Sequence, residues 1–160
     1  MDIYLLRHAD ASERKEGMKD RVRPLTSLGA ATISSVAKSI KKSTKEIDLI
    51  LTSPFLRARQ TADIVGNVFK AKDKIRESEN LVVSGDPSDF LDEIKGYMDL
   101  KRLLVVGHQP HLSMCISFLT GKNTEEIVMK KASLALIKID DLKEGAGELI
   151  WIKEPTQIKK

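Results

Sequence analysis

Polar and apolar positions follow two rhythms along the chain. Short, largely apolar runs lie at 3–6, 48–52 and 103–106. Between them lie longer stretches in which apolar residues recur every three or four positions. The short runs suit strands covered on both faces, and the longer stretches suit helices that lay one apolar stripe on a sheet. This alternation predicts an α/β protein, a three-layer α/β/α sandwich around a mostly parallel central sheet.

The first strand, Ile3-Tyr4-Leu5-Leu6, stops at Arg7-His8, and the polar stretch 11–23 reads as a loop. Pro24-Leu25-Thr26 announces a helix with Thr26 as its N-cap, Leu25 as a staple and Ala30, Ile33, Ala37 and Ile40 on the buried side. Lys41 and Lys42 suit its C-terminal end. The second strand, 48–52, is broken by Ser53-Pro54, and a second helix is expected over 55–69 with Ala58, Ala62, Val65 and Phe69 inward. The charged stretch 70–80 reads as a connection, and Leu81-Val82-Val83 as a short edge strand. Asp86-Pro87 starts a helix whose buried side carries Phe90, Leu91, Ile94 and Met98. The strand at 103–106 ends in Gly107-His108, and a helix over 111–119 is closed by Gly121. Two late strands, 133–139 and 148–152, pair around Gly145-Ala146-Gly147, and the tail from Glu154 is expected to be loose.

At 160 residues the chain suits one domain spanning 1–160, with 154–160 as the tail. Aromatics make up only 4%, so the core must be aliphatic, and a base-stacking nucleic-acid surface is not expected. The net charge of +4 fits either an anionic substrate or plain solubility. A lone cysteine, Cys115, forms no intrachain disulfide and no multi-cysteine zinc site. No apolar run is long enough for a membrane span, and the first is too short for a signal peptide. A cytoplasmic protein is the expectation, with neither nucleic acid nor membrane as partner.

Candidate chemistry collects where strands end. Arg7-His8, Thr52-Ser53-Pro54 followed by Arg57, and Gly107-His108 each sit just beyond an apolar run. Ligands of open parallel sheets bind beyond the carboxyl ends of the strands. If the three strands are parallel neighbours, Arg7, His8, Arg57 and His108 meet in one crevice. Guanidinium forks match phosphate oxygens, and a helix N-terminus adds backbone donors. A neutral histidine nitrogen can attack phosphorus, and a second histidine can stabilise the transferring oxygens. Arginines supply the positive charge, so no metal and no cofactor is needed. Taken singly, these residues read otherwise: Arg57 and Arg59 as a solvated helix face, His108 as a satisfied loop histidine. His108, His111 and Cys115 also have the three- and four-residue spacing of metal ligands on a helix, against a plainer reading of His111 and Cys115 as helix start and core.

Together the motifs resemble a known family. Arg7-His8-Ala9 resembles the Arg-His-Gly signature of the histidine phosphatase superfamily, whose fold is phosphoglycerate mutase-like. The runs from Arg23 to Gly29, from Thr52 to Ala62 and from Val106 to Pro110 are similar to its later motifs, in order. The likeness is to the short SixA-type phosphohistidine phosphatases. It implies His8 as nucleophile, with Arg7, Arg57 and His108 holding the phosphoryl group and Arg23 reaching the same pocket. Ala9 departs from the signature glycine, which matters only where φ must be positive. Mutase-like members carry a carboxylic acid between the second phosphate motif and the second histidine. Glu77 and Glu79 are the candidates by position, and both also suit a solvated surface.

A weak acid favours a labile P–N bond over an alkyl ester, whose alkoxide needs a proton to leave. The chain also lacks the long insertions that close mutase sites over small substrates. The expected partner is therefore a protein carrying phosphohistidine. A small phosphate ester is the alternative, and a non-catalytic phosphate binder or a metal-binding module stands further off.

Overall fold

The computed structural model describes residues 1–158. Six strands form one sheet: β1 (Asp2–Arg7), β2 (Leu49–Thr52), β3 (Ile75–Glu77), β4 (Arg102–Gly107), β5 (Leu134–Lys138) and β6 (Glu148–Lys153). Their order is β3-β2-β4-β1-β5-β6. The first four run parallel; β5 lies antiparallel to β1 at one side, and β6, antiparallel to β5, runs again in the direction of the first four. Five helices accompany them: α1 (Ser27–Ser43), α2 (Leu56–Phe69), α3 (Pro87–Ile94), α4 (His111–Thr120) and α5 (Pro155–Ile158).

Alternation within each strand divides the core. Ile3, Leu5, Leu51, Leu103 and Val105 face α3 and α4 through Phe90, Ile94, Leu112 and Ile116. Tyr4, Leu6, Ile50, Leu104 and Val106 face α1 and α2 through Ile33, Val36, Ala62 and Val65. This is the expected sandwich. β4, paired on both edges, is buried from Leu103 to Gly107, which is why its sequence is apolar without alternation.

Three local expectations are corrected. The edge strand is β3 at Ile75–Glu77, whereas Glu79–Leu81 forms a 3-10 turn. Leu81 is fully buried beneath α3, and the charges Arg76 and Glu77 suit a short edge strand. Met98 is largely exposed, because α3 ends at Ile94 and a 3-10 turn over Lys95–Tyr97 rotates it outward. The tail from Glu154 forms the helical turn α5, and Ile158 packs at the rim of the α1-side core. Residues 159–160 of that tail lie outside the described residues.

One glycine ties α1 to the loop after β1. Thr26 caps α1 by accepting from the Gly29 N–H at 3.0 Å, and its own N–H donates to the Asp10 carbonyl at 3.0 Å. A Cβ on Gly29 would fall on that Asp10 carbonyl oxygen. Gly29→Ala is therefore expected to destabilise the protein by roughly 1–3 kcal/mol, as overpacking does. Urea unfolding would measure it, and a variant as stable as the parent would show that the two segments part freely.

Candidate active site

Strand register brings the motifs together. Arg7 pairs with Gly107 across β1 and β4, and Thr52 pairs with Val106 across β2 and β4. β1 and β4 end level and β2 ends one residue earlier, so His8, His108 and Ser53 emerge at the same end of the sheet. The backbone around His8 is fixed on both sides: its N–H donates to the Gly107 carbonyl at 3.2 Å, and its carbonyl accepts from the Ala132 N–H at 3.1 Å. Ala9 does not adopt a positive φ, so the alanine in the signature costs no strain.

A pocket of about 280 Å³ opens over these strand ends. Arg7, His8, Arg23, Arg57 and His108 all line it. A roomier groove of about 390 Å³ lies between α1 and α2, but Asp63 is its one ionisable lining residue. Chemistry therefore converges on the smaller pocket.

His8 and His108 are both buried, and their ring centroids lie 5.1 Å apart. His8 Nδ1 lies 2.7 Å from the Ala9 carbonyl oxygen. A carbonyl only accepts, so Nδ1 carries the proton and Nε2 keeps its lone pair. Nε2 accepts from Arg57 Nε at 3.3 Å. Burial, reinforced by Arg57, Arg7 and Arg23, pushes the His8 pKa down to about 4, against the raising effect of the Ala9 carbonyl. Burial, with His8 and Arg57 nearby, pushes His108 down to about 3. Both rings are thus neutral near pH 7, the form a nitrogen nucleophile requires. In an NMR titration the His8 ring is expected to change protonation near pH 4. A midpoint near pH 6.5 would mean that the arginines do not act on it.

Each remaining predicted residue has a definite place. Arg7 Nη1 donates to the Met129 carbonyl at 2.9 Å, while its Nε is buried with no hydrogen-bond partner among the described residues. His108 Nε2 lies 2.7 Å from Ser53 Oγ, and its Nδ1 is likewise buried and unpartnered. Such buried polar atoms are costly unless an anion or water meets them. Arg57 is almost wholly buried at the start of α2, its guanidinium 5.1 Å from the Phe55 ring centroid. The Phe55 ring also lies beside His108, with centroids 5.0 Å apart. Arg23 donates to Asp20 Oδ1 at 2.8 Å and to the Ser12 carbonyl at 3.2 Å.

The two candidate acids do not join this group. Glu77 pairs with Arg59 at 3.2 Å and Glu79 with Arg21 at 2.6 Å, each on an exposed surface, and neither lines the pocket. His108, His111 and Cys115 do not converge either. His108 turns into the pocket, while His111 is buried on α4 with Nε2 3.4 Å from Cys115 Sγ. Burial pushes the Cys115 thiol well up, away from the thiolate a metal prefers.

The sequence reading missed Asp20, Lys131, Gln109 and Val83, all of which line the pocket. Asp20 left a signal, since it stands three residues before Arg23 in a loop of mixed charge. Lys131 left none. It arrives ahead of β5 and pairs with Asp10 at 2.9 Å.

Comparison with known proteins bears on the family and the fold. The family model of the histidine phosphatase superfamily (branch 1) matches residues 3–82, half of the chain, including Arg7-His8 and Arg57. The chain belongs to the histidine phosphatase superfamily. This histidine phosphatase is 28% identical to the phosphohistidine phosphatase SixA of Escherichia coli, over 99% of its own length and 97% of the relative's. It is 32% identical to an uncharacterized protein of Picosynechococcus, over 93% of its own length and 88% of that relative's. The solved structure of the protein histidine phosphatase SixA complexed with tungstate superposes with a TM-score of 0.90. That match has 27% identity and covers 99% of this chain and 100% of the other. The expected phosphoglycerate mutase-like, SixA-type fold is thus found. Among the described residues no helix of this histidine phosphatase is long and apolar enough to cross a membrane.

Proposed function

We propose that this histidine phosphatase hydrolyses phosphohistidine on a protein, without a metal, through a phosphorylated His8. The observation that carries the reading is the orientation of His8. Its Nδ1 proton is committed to the Ala9 carbonyl, and the lone pair stays on Nε2, which accepts from Arg57 Nε at the edge of the pocket.

In the first step the Nε2 lone pair attacks phosphorus and the substrate P–N bond breaks. The bonding electrons leave with the substrate imidazole, which departs neutral when its other nitrogen is protonated. His8 becomes cationic, and the Ala9 carbonyl accepts from the ring that now bears the charge. Arg7, Arg57 and His108 hold the phosphoryl oxygens, with Arg23 at the mouth. In the second step water attacks phosphorus, the P–Nε2 bond breaks and His8 returns to neutral as phosphate forms and a proton is released.

Two features support a phosphoramidate on a protein. The one carboxylate lining the pocket, Asp20, is bonded to Arg57 and Arg23, so no free acid stands ready to protonate an alkoxide. Ala11, Asp20 and Arg23 of the loop after β1 line the pocket, and the chain has no longer insertion to close over it, which suits a side chain presented on a large partner. The relative named a phosphohistidine phosphatase adds support of its own.

The test is phosphate release from a phosphohistidine-bearing protein and from an alkyl phosphate, each with a chelator present. Chelator-insensitive release from the protein, well above that from the ester, is the expected result. Turnover of the ester alone would move the substrate to small molecules.

A further inference from the structure

Asp20 opens the 3-10 turn Asp20–Val22 within the loop after β1. Its carboxylate sits against the phosphate-binding arginines themselves. Arg57 Nη2 donates to Asp20 Oδ2 at 3.1 Å and Arg57 Nη1 to the Asp20 carbonyl at 2.9 Å. Arg23 Nε donates to Asp20 Oδ1 at 2.8 Å. Both carboxylate oxygens are therefore taken, each by a different guanidinium. With Nε on His8, every nitrogen of Arg57 has a partner, and two of the three partners belong to Asp20.

We propose that Asp20 is a resident anion of the phosphate seat, which competes with phosphate for Arg57 and Arg23 and thereby speeds product release. The inference rests on the phosphatase reading of the pocket and adds a role for a residue that reading does not use.

The physical case is one of charge. Arg7, Arg23 and Arg57 surround one small site, and guanidinium forks hold phosphate well. Such a site, left unopposed, would also be held by its own product. A fixed carboxylate beside Arg57 and Arg23 weakens binding of every dianion that approaches. The transferring group bears less charge, because a metaphosphate-like transition state spreads it over three oxygens and both ends. Asp20 therefore penalises bound phosphate more than the transition state, and lowering ground-state affinity in this way favours turnover.

A proton-donor role fits less well. Burial alone would raise the Asp20 pKa, but the hydrogen bonds and charges of Arg57 and Arg23 outweigh it and hold the carboxyl below its ordinary range. The group is ionised and doubly paired, so it has no proton to give.

The experiment is calorimetric titration of inorganic phosphate into the full chain and into its Asp20→Asn and Asp20→Ser variants, with turnover measured alongside. Phosphate is expected to bind at least about 10-fold tighter in both variants, the scale set by removing one charge roughly 4 Å away in a half-buried site. Turnover is expected to fall as product release slows. A merely structural Asp20 would move affinity the other way, so unchanged or weaker phosphate binding overturns the proposal. A loss confined to alkyl esters, with phosphate affinity unchanged, would make Asp20 the proton donor and also overturns it. In the unmodified protein the Asp20 carboxyl carbon resonance must move on phosphate saturation, and a resonance that stays put overturns it without any variant. Phosphate binding reads Asp20 without turnover, so its outcome is separate from that of the His8 assignment.

Discussion

His8→Ala is expected to lower turnover by at least about 10⁴-fold, the scale seen when a covalent nucleophile is removed. Nothing else in the pocket can replace its Nε2. His108 Nε2 is engaged with Ser53 Oγ, and its Nδ1, the nitrogen left to donate to a phosphoryl oxygen, then carries a proton and has no lone pair for attack. The substitution leaves the backbone contacts of residue 8 to Gly107 and Ala132 in place, so the fold should persist. Calorimetry should therefore still detect phosphate on Arg7 and Arg57 in the variant. Rapid-quench trapping should find acid-labile phosphate on the parent protein and none on the variant. A variant that kept even a tenth of the parent rate would remove His8 from the nucleophile role.

Arg57→Ala is expected to cost about 10²–10³ in kcat/KM, by analogy with loss of a preorganised oxyanion donor. Arg57 does three things at once: it donates to His8 Nε2, bonds Asp20 twice and stacks on Phe55. Without it the His8 pKa should rise, since one of the nearby charges that depress it is gone. That gives a second readout. NMR titration of the His8 ring should show its midpoint moving up from about 4 in Arg57→Ala. Arg57→Lys should restore little, because an ammonium cannot span His8 and Asp20 as a planar fork does. Full activity in either variant would place the phosphoryl group elsewhere.

The strand-end motifs were legible because the features that matter there are local. An apolar run followed at once by Arg7-His8 or Gly107-His108 states both the strand and its chemistry. The sheet order then had only to make β1, β2 and β4 neighbours. The loop 11–23 was opaque for the opposite reason. Its charges follow no period, and the pairing of Asp20 with Arg57 spans 37 residues. Glu77 and Glu79 stand at the right place in the order of motifs, but each finds an arginine outside the pocket. Leu81-Val82-Val83 has strand composition, yet burial of Leu81 under α3 and placement of Val83 at the pocket were satisfied by a turn. Met98 continued the periodicity of α3 on paper, whereas the helix had already ended.

The strand order also bears on when the enzyme comes into being. β4 lies between β1 and β2 but is synthesised after both. As the chain leaves the ribosome, β1 and β2 have no shared edge until residues 102–107 arrive to join them. The arginine on α2 and the histidine after β1 can be complete and correctly made while remaining apart. Parallel pairing over such sequence separations is a late, slow event in folding. Nascent chains and amino-terminal fragments ending before β4 would thus carry the family signature without a working pocket, and activity would switch on only as the central strand is inserted.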